Sequence, residues 1–281
     1  GPWFVDSSCI DCDACRQLAP KVFSDGPGHA LVARQPGAPG APGAPGADVR
    51  LDAFRAMVAC PVGAIGREES GPMPSGLFPM LLEDGVFYCG YNSADSYGAN
   101  SFFVERPEGN LLIDSPRWAK LLVGEIEKRG GISDVLLTHQ DDVADADRYQ
   151  EHFETRVWIH EAERRAAPYA THLLEGEASK EIRPGLLAIP VPGHTRGSTM
   201  FLLEEKFLFS GDSLYWSRKR GGLAASKSYC WYSWDKQVES LIRLADYRFE
   251  WVLAGHGERI RLSPDEARAS LMALTSQFSR A

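Results

Sequence analysis

The sequence predicts an α+β chain built in two parts, and three observations carry that prediction. Four of the six cysteines fall within the first sixty residues, in a metal-ligand arrangement. A Pro-Gly-Ala tract and a later Gly/Pro/Ser-rich stretch interrupt the apolar patterning before residue 76. Beyond that point short apolar runs alternate with helical patterns, as in a domain of strands and helices.

Composition narrows the function classes. At 281 residues the chain has room for a small domain plus a medium one. Its 44% hydrophobic and 24% charged content is that of a globular protein. No apolar run approaches the roughly 18 residues that span a bilayer, so no membrane span is expected. The net charge is -8 with no dense Lys/Arg stripe, which argues against a nucleic-acid surface. The short basic run Arg218 to Arg220 reads as a solvated loop. The opening Gly1-Pro2 lacks an initiator Met and looks like a protease remnant, so it says little about targeting. Six cysteines could mean disulfides, but four sit in ligand spacing, which points to a reducing, intracellular compartment.

The elements follow in order. Residues 3–67 form the first domain. Within it residues 36–47 repeat Pro-Gly-Ala and read as a surface insertion that cannot pack a core. Val49, Leu51, Phe54, Met57 and Val58 then fall at helical spacing, ending at Ala59-Cys60-Pro61. Residues 68–75 read as a linker. In the second domain, residues 76–281, the runs Leu77–Leu82, Val86–Tyr91, Leu111–Asp114, Val135–Thr138 and Val157–His160 predict strands. Thr199–Glu204 and Lys206–Ser210 predict a hairpin. Helices are expected at Trp118–Lys128, Asp145–Phe153, Trp234–Ala245 and Pro264–Phe278, the last opening on a Ser-Pro-Asp-Glu start signal.

Cys9, Cys12 and Cys15 have the spacing C-x2-C-x2-C, and Cys60-Pro61 follows a helix. Two-residue gaps let one tight loop wrap a cubane, while a Cys-Pro at a helix end delivers a fourth thiolate. Zinc prefers two separated cysteine pairs, and a disulfide pair is the other bland reading. With the flanks Ala19-Pro20-Lys21-Val22-Phe23 and Cys60-Pro61-Val62-Gly63-Ala64-Ile65, this segment resembles single-cluster bacterial-type ferredoxins. The resemblance implies one 4Fe–4S cluster on Cys9, Cys12, Cys15 and Cys60, used for single-electron transfer, with a 3Fe–4S form as a variant. Cys89 and Cys230 lie outside the pattern and read as buried thiols.

Four signals occur in order in the second domain: Leu136-Leu137-Thr138-His139, Pro192-Gly193-His194-Thr195, Phe209-Ser210-Gly211-Asp212 and Leu253-Ala254-Gly255-His256-Gly257. Each puts a His or Asp just after a strand, ahead of a polar or Gly-rich turn. The ordered set resembles the metallo-β-lactamase superfamily from residue 76 onward. The fold class is therefore α+β: a small ferredoxin-like domain plus an αββα metallo-β-lactamase sandwich. The superfamily's first motif is normally His-x-His-x-Asp-His, and here it departs. His139 is present and Asp141 replaces the second His. The Asp-His pair falls on Asp145-Ala146 with two residues inserted, or on Val143-Ala144 with none, and its His is missing either way. The inserted alignment makes Asp145 the catalytic carboxylate.

The resemblance thus implies a degenerate, mononuclear-leaning metal site from His139, Asp141, His194, Asp212 and His256, holding one Fe or Zn. Carboxylate in place of imidazole shifts preference towards iron or manganese. The bland alternative keeps these histidines as satisfied polar residues of a pseudoenzyme. His160 is expected to be structural, and the aromatic stretch Tyr229–Trp234 to pack the core around the site. Three functions remain open. They are an iron–sulfur redox protein, a metal-dependent ester or thioester hydrolase with a structural or sensing cluster, and a non-catalytic redox-sensing assembly or regulatory protein. A redox partner protein is expected, and a small-molecule substrate on the enzymatic readings. The fusion resembles plant, algal and cyanobacterial proteins, which implies the chloroplast stroma.

Overall fold

The structure, a computed structural model, describes residues 1–37, 47–68 and 70–278. In the first part β1 (Trp3–Val5), α1 (Ala14–Leu18), β2 (Phe23–Asp25), β3 (Ala30–Val32), α2 (Ala47–Ala59) and β4 (Ile65–Arg67) follow in chain order. β1 pairs antiparallel with β4, so the two ends of the segment close on each other. Trp3 packs edge-on to Phe54 at 5.1 Å, joining that small sheet to α2. Between β1 and α1 the chain curls tightly. Asp11 and Asp13 on either side of Cys12 take φ of 58° and 68°, a left-handed conformation that Asp tolerates better than most residues. The buried Arg16 holds both carboxylates, at 2.6 Å and 2.5 Å. Of the expected Pro-Gly-Ala insertion, residues 38–46 lie outside the described residues, and Ala47 already opens α2.

The second part begins with β5 (Met80–Glu83), β6 (Val86–Tyr88), β7 (Phe102–Val104), β8 (Leu111–Ile113), α3 (Lys120–Lys128), β9 (Asp134–Leu136), α4 (Ala146–Phe153), β10 (Arg156–His160) and β11 (His172–Leu174). These strands form one seven-stranded sheet in the order β11-β10-β9-β8-β7-β6-β5. The chain continues through β12 (Lys180–Arg183), β13 (Leu186–Pro190), β14 (Thr199–Leu203), β15 (Phe207–Gly211), β16 (Tyr215–Ser217), β17 (Gly222–Ala224), α5 (Trp234–Arg243), β18 (Trp251–Ala254), β19 (Ile260–Arg261) and α6 (Pro264–Phe278). A second sheet runs β12-β13-β14-β15-β18-β19, and β16 pairs with β17.

The hairpin β14–β15 shows how the layers are set. Phe201, Leu203, Phe207 and Phe209 point into the core between the sheets, where Phe209 meets Phe102 at 5.6 Å. Met200, Leu202 and Leu208 alternate to the other face, under Leu241 of α5, Leu244 just after it, and Leu271 and Leu274 of α6. Both faces are covered, so the strands read as continuous apolar runs. β13 and β15 flank the antiparallel β14, and β18 runs parallel to β15. β13, β15 and β18 therefore end at one edge of the sheet.

The two parts share one hydrophobic core, continuous from Trp3 to Leu253. Polar bonds reinforce the join. Arg117 donates to the carbonyls of Asn92 (2.7 Å), Val58 (2.8 Å) and Cys60 (3.3 Å). Tyr97 donates its hydroxyl to the Ile10 carbonyl at 2.6 Å.

Element boundaries differ from expectation for local reasons. The first strand starts at Met80 rather than Leu77, because Pro79 has no N–H to give a ladder. The next stops at Tyr88, since the chain turns through Gly90 and Tyr91 at positive φ. The helix expected from Trp118 begins at Lys120, and the Trp118 N–H goes to Asp145 at 2.6 Å. β1, β4, β7, β11, β12, β16, β17, β19 and the β2–β3 hairpin were not expected, whereas β13 and β18 are the strands implied ahead of His194 and His256. The unexpected strands are short or fully buried, and neither case shows a clear two-residue alternation.

Arg117→Ala would leave three carbonyls at the join without that donor. It should lower the free energy of unfolding by about 1–3 kcal/mol. A urea melt checks this, and an unchanged midpoint would contradict a role for Arg117 in the join.

Candidate functional site

Cys9, Cys12, Cys15 and Cys60 line one cradle together with Val5, Ile65 and Pro61, and all four are free thiols. Cys15 and Cys60 are buried. Burial pushes the Cys12 thiol up to about 11 and Cys15 to about 12. Without a cation the thiolates would be costly there, so the cradle suits a group that binds them deprotonated. The Ala64 N–H donates to Cys60 Sγ at 3.3 Å, the kind of amide–sulfur bond that tunes a cluster.

The second constellation gathers at the edge where β13, β15 and β18 end, facing the turn after β9. His139 follows β9, His194 follows β13, Asp212 follows β15 and His256 follows β18. Asp212 lies at the centre. Its Oδ2 is 3.6 Å from His139 Nε2, 3.6 Å from His194 Nε2 and 2.9 Å from His256 Nδ1. Asp141 Oδ2 closes the first group, 3.4 Å from His194 Nε2 and 3.8 Å from His139 Nε2. Asp142, Asp212 and His256 form a second group, so Asp212 belongs to both.

Two of the three imidazoles are fixed from behind. His194 Nδ1 donates to the Tyr229 carbonyl at 2.6 Å, leaving Nε2 to face the centre. His139 Nδ1 meets Thr138 Oγ1 at 3.0 Å, and that hydroxyl donates to Asp114 at 2.9 Å. Such outer bonds set tautomer and ring orientation in metal sites. The Nε2 atoms of His139, His194 and His256 and both oxygens of Asp142 are buried with no hydrogen-bond partner. Buried polar atoms rarely go unpaired. Five of them around one carboxylate fit a bound cation, and the residues present could hold one or two.

The electrostatics agree. Burial alone would lower His256, but the charge and hydrogen bond of Asp212 outweigh it and hold the ring at about 9. Burial opposes His139 too, yet Asp142 and Asp212 drive it well above the usual imidazole range. Burial raises Asp142 to about 8, with Asp212 adding repulsion, and raises Asp114 to about 7. Burial would also raise Asp212, but His256 and His139 keep it well below the carboxylate range. Protons on the imidazoles supply positive charge where a metal cation would otherwise do so.

The structure thus brings His139, Asp141, His194, Asp212 and His256 together. It does not bring Asp145. That carboxylate, expected as the catalytic acid, accepts from the Trp118 N–H and faces Arg148 at 3.8 Å, outside the cluster. Asp142 takes the place in the cluster. A single 3-10 turn over Gln140–Asp142 has three residues per turn and stacks Asp142 beneath His139. The signal available in the sequence was the acidic pair Asp141-Asp142, one residue beyond a strand-end His. Tyr229, Trp231 and Tyr232 are likewise not core. They are at least half exposed, and Trp231 stands 6.3 Å from the His194 ring, so the stretch rims the site. His160 is structural, accepting from the Ala162 N–H and donating to the Gly176 carbonyl.

Residues 5–67 match the family described as the 4Fe-4S single cluster domain of Ferredoxin I. Residues 82–272, more than half of the chain, match the metallo-beta-lactamase superfamily. The chain belongs to the metallo-β-lactamase superfamily. Among curated proteins of this kind it is 29% identical over 207 residues to the uncharacterized protein YobT of Bacillus subtilis, covering 60% of this chain and 87% of that one. It is 31% identical over 111 residues to hydroxyacylglutathione hydrolase of Xanthomonas axonopodis pv. citri, covering 38% and 43%. Among solved structures, the Pseudomonas aeruginosa metallo-β-lactamase FIM-1 in mono-zinc form aligns with TM-score 0.53 and 19% identity, over 72% of this chain and 96% of that one. A metallo-β-lactamase family protein from Thermus thermophilus aligns at 0.52 and 19%, over 71% and 81%. At this identity the structures show the fold alone. The superfamily fold accounts for the convergence of His139, His194, Asp212 and His256 at one sheet edge.

Two outcomes follow. Metal binding needs deprotonated donors. At pH 7 His256 and Asp142 lie below their values of about 9 and 8 and are mostly protonated, so loading should release protons. Calorimetry in buffers of different ionisation enthalpy reads this, and uptake without release would contradict the assignment. Cys60→Ser should abolish the visible absorption of a reconstituted cluster, whereas Cys89→Ser, outside the cradle, should leave it intact.

Proposed function

We propose that the protein is an iron–sulfur redox protein in which the N-terminal cluster domain serves a carboxylate-rich metal centre at Asp212. The observation that carries the reading is the donor set: Asp141, Asp142 and Asp212 stand with His139, His194 and His256 around unpartnered Nε2 atoms. Oxygen-rich sets of this kind suit iron or manganese better than zinc. Cys9, Cys12, Cys15 and Cys60 would hold the cluster, and the shared core keeps the two parts in fixed relation. A 4Fe–4S cluster supplies one-electron transfer. The chain's own residues do the rest. Tyr229 and Thr138 lock the imidazoles, Asp212 serves both ligand groups, and Trp231 gives the approach to His194 an aromatic wall. A thiolate-bound cluster fits a reducing compartment, and a one-electron partner protein is the expected source of its electron.

A second reading is a metal-dependent hydrolase of an ester or thioester. Asp142 favours it: its oxygens are buried and unpartnered beside Asp212 and His256, a carboxylate placed to orient a nucleophilic water once a bound cation has displaced its proton. The partial similarity to hydroxyacylglutathione hydrolase points the same way.

Elemental analysis with electron paramagnetic resonance on anaerobically purified protein separates the readings, with His194→Ala as control. The redox reading expects about four irons from the cluster, plus further iron or manganese that the control loses. Zinc in that place with thioesterase turnover would establish the hydrolase. Cluster iron alone would remove both.

A further inference from the structure

The segment from Cys89 to Ser101 joins the cysteine cradle to the metal centre. It is closed at its base by the Cys89 N–H donating to the Ser101 carbonyl at 3.0 Å. Its tip lies on the cradle. Tyr97 donates to the Ile10 carbonyl, between Cys9 and Cys12. Gly98 is so close that a Cβ there would sit 2.9 Å from Cys12 Sγ and 3.2 Å from Pro61, at a φ of +87°. Only glycine allows that approach.

Two residues on, the segment reaches the other centre. The Asn100 N–H donates to the Gly255 carbonyl at 2.7 Å, and its side-chain amide donates to the Ala254 carbonyl at 3.1 Å. His256 is the next residue, and its N–H and Nδ1 both engage Asp212. Asn92 braces the interior, accepting from the Tyr88 hydroxyl at 2.7 Å and donating to the Gly98 carbonyl at 2.7 Å. Asn92, Ser93, Ser96, Asn100 and Ser101 are all buried, although polar. Arg117 gives a second tie: its guanidinium holds the Cys60 and Asn92 carbonyls, three residues after the Asp114 that supports Thr138 and His139.

We propose that this segment couples the two centres, so that the redox state of the cluster and the loading of the Asp212 centre each bias the other. The inference rests on the metal-centre reading above. The redox event is one electron entering the cluster from an external one-electron donor and staying there, with no bond made or broken. It adds negative charge against Gly98. The exposed tip at Ala94, Asp95 and Tyr97 can yield to solvent, but the stretch from Gly98 to Ser101 is buried and bonded to Asn92 and Gly255, so a displacement at Gly98 passes to the Gly255-His256 turn. Such coupling is reciprocal: whatever factor reduction applies to metal affinity, metal loading applies to reduction. The sign follows from charge. An added electron favours a cation, and a bound cation favours the electron.

The test uses the cluster-loaded full chain with Zn2+, which is redox-inert, as the probe. The cluster potential is titrated with the second centre stripped by chelator and then zinc-loaded. Zinc affinity is measured before and after dithionite reduction. Wild type is expected to bind zinc about tenfold more tightly when reduced, equivalent to a rise of about 59 mV in potential on loading. Tyr97→Phe removes the bond to Ile10, and Asn100→Ala removes the side-chain bond to Ala254. Each should keep the cluster absorption and the zinc stoichiometry but diminish the shift, and Gly98→Ala should abolish it. A wild-type potential indifferent to bound zinc would overturn the inference. So would an undiminished shift in both Tyr97→Phe and Asn100→Ala, because the charges would then act through space. A chain that binds no zinc at all would instead remove the metal-centre reading beneath it.

Discussion

Asp212 is a carboxylate almost removed from water, placed at the end of a fully buried strand, and much of the second domain is arranged around that charge. An isolated buried carboxylate is costly, and removing its partners from such a site typically costs ~3–5 kcal/mol. Here His139, His194 and His256 converge on it, each delivered by a different strand. Gly255 shows how tight the arrangement is. A Cβ there would lie 2.7 Å from Asp212 Oδ1 and 2.8 Å from Asp142 Oδ2, so a bare backbone must run between the two carboxylates. The centre is held by backbone as much as by side chains.

The same logic separates ligand candidates from supporting groups. Asp114 is buried but committed to Thr138, and Asp145 to the Trp118 N–H. Asp142 has no such commitment, nor do the Nε2 atoms of the three histidines. Unpartnered atoms mark the residues left for a cation, while partnered ones fix where those residues point.

The cysteine domain is also more than an appendage on a linker. Its apolar residues enter the core of the second domain, and the polar segment from Cys89 to Ser101 lies between the two centres. Buried polar side chains such as Asn92 and Asn100 fix one geometry, because each must find its own partner.

Much of this was written in the sequence. C-x2-C-x2-C with a distant Cys-Pro fixes the cradle, because the ligands are local and a short loop has few ways to present them. Strand-end His139, His194, Asp212 and His256 were legible for a similar reason: each follows an apolar run and precedes a turn. The choice between Asp142 and Asp145 was not legible. It depends on whether the chain after His139 winds a 3-10 turn or runs on, and on which carboxylate the Trp118 amide captures from 27 residues away. Nor could the sequence show that Tyr229 and Trp231 face solvent, since aromatic residues are apolar whether they fill a core or rim a site. The contact of Gly98 with Cys12 and of Asn100 with Gly255 was equally invisible. Periodicity reports which face of an element is buried, whereas approaches between distant segments exist only once the two sheets and the cysteine domain have packed on one core.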